Sequence, residues 1–271
     1  MLYPITKNGF LTHTFSECVE NHAGMQMLGE KRAVGFDAAT LRAVAANVEG
    51  ASVVELGDGK GCREEACVLV IKSGVNKLLK DPDGADKLLA ESVSKPFDST
   101  FLNVKRKVVQ TKHGRYNNCY ADALQEPDIP NGKGTVVAFG DAPVMAKLRA
   151  ALPEMLGEGA GGLFAETNYY RDVTDRKVGI GWHGDTERRV VIGMRVGPAS
   201  LPIRFRWYAR FAPVGREFVI DLDHGDLYVM SDKATGHDWM LSSKMTLRHG
   251  VGLKAPELCE GERKGAKRAR V

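Results

Sequence analysis

The chain has 271 residues and a mass of 29.6 kDa, with 43% hydrophobic, 27% charged and 7% aromatic residues, a balance that excludes collagen, coiled coil and wholesale disorder. No run approaches the roughly 18 apolar residues of a membrane span, and the start lacks a basic segment followed by an apolar one, so a soluble intracellular protein of the nucleus or cytoplasm, without a membrane partner, is expected. The formal charge of +4 sits in the last ten residues, where Arg263, Lys264, Lys267, Arg268 and Arg270 oppose only Glu262; such a tail suits nucleic-acid phosphates or a nuclear address.

After an irregular start, Asp37 is placed to cap a helix over 38–48, with Leu41, Val44, Ala45 and Val48 on one face. A short strand over 52–56, the loop from Gly57 to Glu65 and an apolar strand over 66–72 follow; the Gly57-Asp58-Gly59-Lys60-Gly61 spacing is neither a dinucleotide fingerprint nor a phosphate loop. A helical stretch over 75–93, broken at Asp81-Pro82-Asp83-Gly84, completes a small N-terminal α/β region, residues 1–95. Beyond Lys95-Pro96 the pattern turns strand-rich. Asp141 and Pro143 fit the cap and first turn of a helix carrying Val144, Met145, Leu148, Leu152 and Met155. Strands are then expected at 163–170, 178–183, 190–196, 201–208, 217–223, 226–231 and 245–252, with no helix between them, which points to a sandwich, barrel or jelly roll. The five cysteines, Cys18, Cys62, Cys67, Cys119 and Cys259, are odd in number and contain no C-x-x-C, so neither a disulfide framework nor a zinc knuckle is indicated.

Gly181-Trp182-His183-Gly184-Asp185 ends one of these strands. Residues two apart on a strand share a face, so His183 and Asp185 can meet at one ion, and a histidine from a later strand would complete a 2-His-1-carboxylate set with open positions. A second H-x-D, His224-Gly225-Asp226, falls at a turn and reads as loop chemistry. The third ligand has two candidates. His237 lies eleven residues before Arg248, in a segment that reads as a turn or short helix, whereas His249 lies on the seventh strand with Leu247 and Val251 on its face. The strand count favours His249, which would turn Arg248 outward.

The order Asn168-x-Tyr170, His183-x-Asp185, Gly225-Asp226 before an apolar strand, then a distal His and Arg, resembles the AlkB-like family of Fe(II)/2-oxoglutarate dioxygenases over roughly 97–254. The resemblance implies an α+β protein with a double-stranded β-helix (jelly roll) catalytic domain over 96–258, flanking helices and a basic tail over 259–271. It implies Fe(II), 2-oxoglutarate and O2 as cofactor and co-substrates, and oxidative removal of alkyl groups from N-alkylated nucleic acid bases. Asn168 and Tyr170 would hold 2-oxoglutarate, joined by Arg248 if His237 is the third ligand; under the His249 choice Lys254 or Arg263 is left to supply the cation. Glu187 would touch the substrate base, and Tyr116, within the lid-like Lys112–Asn117, could stack on it. A hydroxylase acting on a protein or small molecule, and a non-catalytic jelly-roll binding module, are the alternatives.

Overall fold

The computed structural model describes residues 5–57 and 64–252. The expectations that fall on the loop at 58–63, Lys254, Arg263 and the basic tail lie outside the described residues. The chain is α+β, with mostly antiparallel sheets and helices gathered on one side, and no helix among the described residues is long and apolar enough to cross a membrane.

The stretch before Asp37, expected to be irregular, carries strands from Phe10 onward. Phe10-Leu11-Thr12-His13-Thr14-Phe15-Ser16 forms β1 (Phe10–Ser16), buried at every position. Its alternation sends Leu11 and Phe15 into the helix-side core and leaves Thr12 and Thr14 on the other face. A small hairpin, β2 (Cys18–Glu20) and β3 (Met27–Gly29), follows. Helix α1 (Ala38–Asn47) starts where Asp37 accepts a hydrogen bond from the Thr40 N–H at 2.7 Å. Then come β4 (Ala51–Glu55), β5 (Cys67–Ile71), α2 (Gly74–Leu79) and α3 (Gly84–Val93), the last two separated at the expected Asp-Pro-Asp-Gly break. A hairpin of β6 (Thr100–Asn103) and β7 (Val108–Thr111) leads to β8 (Tyr116–Ala121) and β9 (Val136–Ala138). Helix α4 (Pro143–Leu156) begins with Pro143 as expected, but Asp141 does not cap it. The Glu91 carboxylate of α3 does so from outside, accepting from Val144 N–H at 2.8 Å and Met145 N–H at 2.9 Å.

The strand series is β10 (Phe164–Tyr170), β11 (Gly179–His183), β12 (Val191–Val196), β13 (Ile203–Ala209), β14 (Ala212–Ile220), β15 (Leu227–Met230) and β16 (Met245–Gly252). β14 begins earlier than the 217 expected, because the tight β13–β14 hairpin turns on Arg210 and Phe211, both at positive φ, without the glycine that usually signals such a turn.

These strands form an eight-stranded sheet ordered β4-β5-β15-β12-β1-β10-β8-β9 and a four-stranded sheet ordered β11-β16-β13-β14. Only the β8–β9 pair is parallel in them. The expected boundary at Lys95-Pro96 does not separate two units: β1 pairs with both β10 and β12, and β5 with β15, so residues before it are woven into the same sheet as those after it. One face of the large sheet packs on the helices through Leu11, Leu69, Ile192 and Val229 against Leu41, Leu88, Leu148 and Leu152. The other faces the small sheet through Val68, Val70, Val191 and Met230 against Ile203, Phe205, Trp207 and Leu247. Each large side chain buried there contributes roughly 1.5–3 kcal/mol. Cys18, Cys67 and Cys119 are buried free thiols.

Candidate metal centre

Between the sheets lies a cavity of about 670 Å³. His183 ends β11 and sits directly across the antiparallel pair from His249 of β16, their ring centroids 4.4 Å apart. The Nε2 atoms of both rings lie 3.7 Å from Asp185 Oδ1, and one donor atom from each of the three residues falls within 4.8 Å of the others. The glycine between His183 and Asp185 is required by packing, since a Cβ at Gly184 would stand 2.1 Å from the Gly236 carbonyl oxygen. Asp185 is fixed further by its N–H, which donates to the Thr235 carbonyl at 2.9 Å. The next residues are pinned by Glu17, whose carboxylate accepts from Arg189 N–H at 2.6 Å and Val190 N–H at 3.0 Å.

The electrostatics suit a cation. Burial pushes the Asp185 carboxyl up to about 7, so the ionised form lacks compensation that a cation would supply. Burial also lowers the pKa of His183 and His249, so both imidazoles are neutral at pH 7 and available as ligands. His183 Nδ1 lies 2.8 Å from the Gly181 carbonyl, which selects the Nδ1–H tautomer and frees Nε2 for a metal. Two imidazoles, one carboxylate and an open side form a facial set of donors.

His237 is not brought to this cluster. It follows the turn at Gly236, and its Nε2 lies 3.9 Å from Asp232 Oδ2. Arg248, adjacent to His249 on β16, is buried on the opposite face, its guanidinium 3.9 Å from the Tyr208 ring centroid and 5.1 Å from that of Trp239. The second H-x-D builds a turn: Asp226 accepts from Lys72 Nζ at 2.7 Å and from Asp223 N–H at 2.8 Å, while His224 Nδ1 accepts from Gly197 N–H.

Asn168 and Tyr170 do line the cavity. Asn168 Oδ1 accepts from Arg115 Nε, and Tyr170 stacks on Phe10 with centroids 4.5 Å apart. Glu187 lines the mouth; burial raises its pKa, but Arg188, its own backbone N–H and His183 together outweigh this and lower it, with 2.9 Å between Arg188 Nε and Oε1. Arg188 also reaches Glu166 at 3.2 Å, closing a buried acid–base–acid chain. Tyr116 corrects the expectation: it faces the helix-side core beneath the Arg171 guanidinium, because on β8 it is Asn117, not Tyr116, that turns to the cavity side. The rest of its segment is at a second cavity of about 500 Å³, lined by His22, Phe101, Lys112, His113 and Arg115, and this shares His22 and Arg115 with the first.

No family model matches the chain. It is 37% identical over 252 residues to a protein of Acanthamoeba polyphaga mimivirus described as "Uncharacterized protein R156", a match spanning 89% of this chain and 95% of the viral one. The chain belongs to the family of that viral protein.

Several cavity residues of this family member escape a sequence reading. Thr12 and Thr14 arrive on the N-terminal strand, Glu20 on the hairpin after it, and Arg195 and Tyr228 on the large sheet. Arg195 does leave a signal, a single charge within the apolar run Val190–Gly197.

Proposed function

We propose that this protein is an Fe(II)- and 2-oxoglutarate-dependent dioxygenase that dealkylates N-alkylated nucleic acid bases. The observation that carries the proposal is the convergence of His183 Nε2, His249 Nε2 and Asp185 Oδ1 on one point at the wall of a cavity between two sheets. Strand order supports a jelly-roll reading, with β10-β1-β12-β15 opposite β11-β16-β13-β14 and β1, from the N-terminus, taking the place of an eighth strand. That substitution explains why no eighth strand follows β16 in the described chain.

On this reading His183, Asp185 and His249 hold Fe(II), with His249 rather than His237 as third ligand. Fe(II) held there would let O2 oxidise 2-oxoglutarate to succinate and CO2 and hydroxylate a carbon attached to a base nitrogen, one oxygen atom going to each, after which the hydroxylated group leaves as an aldehyde. The protein's own residues do the rest. The Gly181 carbonyl orients His183, Thr235 fixes the Asp185 backbone, and the apolar walls Val191, Ile203 and Val251 keep water from the reacting carbon. The second cavity supports the nucleic-acid reading, because a His22–Phe101 stack beside Arg115 offers an aromatic surface next to a cation, the chemistry of a splayed base and its phosphates.

The test is anaerobic visible absorption during titration with Fe(II) and then 2-oxoglutarate. A charge-transfer band needing both, present in His237→Ala and absent in His249→Ala, is expected. A wild-type protein that binds no Fe(II) sinks the proposal.

A further inference from the structure

The cavity lining includes a cation that no described carboxylate pairs with, although its guanidinium lies over the Phe10 ring at 4.2 Å. Arg195 is fully buried on the inner face of β12. Its Nη1 donates to Ser200 Oγ at 2.6 Å and to the Leu201 carbonyl at 2.8 Å, but Nε and Nη2 have no hydrogen-bond partner, and among the described residues no carboxylate forms an ion pair with it. These two atoms form one edge of the guanidinium, the edge that takes a carboxylate through two parallel bonds. Burial lowers the Arg195 pKa, as expected for a cation held without a counterion.

A second orphan stands beside it. Thr12 of β1 is the direct strand partner of Arg195 on one side and of Asn168 on the other, so the three form one rung across the cavity floor. The Thr12 hydroxyl is buried and has no partner either. A buried donor left unmade costs about 1–3 kcal/mol, and more for a charged group, so two adjacent orphans facing one cavity mark a place for an anion. The room for it comes from Gly193. A Cβ there would meet the Tyr228 ring at 2.0 Å, so the glycine lets that ring lie flat against β12 instead of filling the cavity.

We propose that Arg195, through Nε and Nη2, and Thr12, through its hydroxyl, bind the distal carboxylate of a short dicarboxylic 2-oxo acid whose other end faces His183, Asp185 and His249. This rests on the dioxygenase reading for the near end only. It assigns the cation that the sequence leaves open to a strand preceding both Arg248 and Lys254, and it makes Arg195 the residue that selects dicarboxylates over monocarboxylates.

The full chain is loaded anaerobically with Mn(II), and calorimetry compares 2-oxoglutarate with 2-oxovalerate, in which a methyl group replaces the distal carboxylate. Wild type is expected to prefer 2-oxoglutarate by about 30-fold or more, the scale of two charge-assisted hydrogen bonds. Arg195→Met removes the preference while leaving 2-oxovalerate affinity unchanged. Thr12→Val, which preserves shape, reduces the preference about threefold to tenfold and serves if Arg195→Met does not fold. No preference in wild type, or a preference that survives in folded Arg195→Met, overturns the proposal. Succinate added to metal-free protein separates the two readings. Succinate binding that depends on Arg195 in a chain taking up no metal sinks the metal reading and keeps this one; metal uptake without a dicarboxylate preference does the reverse.

Discussion

The two walls of the cavity are built by different rules. On the small sheet, two histidines face each other across one strand pair and an aspartate follows one of them by two residues. On the large sheet, Asn168, Thr12 and Arg195 meet along a rung drawn from three distant parts of the chain. The first wall needs only strand periodicity and one turn, so it is local enough to read from spacing. The second depends on which strand lies beside which, and no spacing encodes that.

If the walls act independently, as groups with no shared partner do, substitutions on one leave the other's ligand unaffected. The largest effect falls on the small sheet. His249→Ala is expected to weaken Fe(II) or Co(II) binding by more than the roughly 100-fold that loss of an outer hydrogen-bonding partner can cost. Arg195→Met should leave the same titration within about twofold of wild type. A large loss in both would make the cavity a single coupled site.

The next effect tests whether the N-terminal strand belongs to the large wall. Leu11 is fully buried in the helix-side core, and Leu11→Ala is expected to cost about 2–5 kcal/mol of unfolding free energy in a single denaturant transition. Two separate transitions, only one of them shifted, would restore the division at Lys95.

His13, the residue between Thr12 and Thr14, turns the other way, into the core between Thr167 Oγ1 at 2.7 Å and Ser92 Oγ at 3.2 Å. Burial lowers its pKa to about 3. Its folded value is thus below its unfolded one near 6.5, so the neutral form's contribution is intact above pH 6.5 and is lost as pH falls toward 3, at up to about 1.4 kcal/mol per unit. His13→Gln should flatten the acid limb of stability by one proton's slope, measured by denaturation between about pH 6.5 and 4. An unchanged slope would mean that this histidine is protonated in the fold.

Much of the architecture is legible because it is periodic. The helices at 38–48 and from Pro143, and the strand series from 163 onward, all have one apolar face or a continuous apolar run. H-x-D is legible because two residues at the end of one strand carry it. What stays hidden does so for physical reasons. β1 reads as irregular because it is buried on both faces, one apolar and one lined with threonines. Its pairing with β10 and β12 places Phe10–Ser16 at the centre of the large sheet, which no local pattern announces. The cap of α4 comes from Glu91, distant in sequence, while the nearby Asp141 is the residue that spacing favours. Tyr116 is easily placed on the wrong face, because a one-residue error in strand register inverts every side chain.

The smallest expected effect contrasts two arginines. Arg195 and Arg248 are both fully buried on strands that border the cavity, yet only Arg195 faces it. Arg248 points to the outer side of the small sheet, where Tyr208, Trp239 and Phe211 surround its guanidinium at 3.9, 5.1 and 5.8 Å. Those rings hold it by charge–quadrupole attraction and stacking, which a lysine ammonium satisfies less well. Arg248→Lys is therefore expected to cost about 1 kcal/mol of stability and to leave the preference for 2-oxoglutarate over 2-oxovalerate within about twofold of wild type. The adjacent His249 makes this a sensitive comparison, because any twist of β16 large enough to bring Arg248 to the cavity would carry His249 away from Asp185. An Arg248→Lys protein that binds metal normally but loses the dicarboxylate preference would move the anion end from the large sheet to the small one.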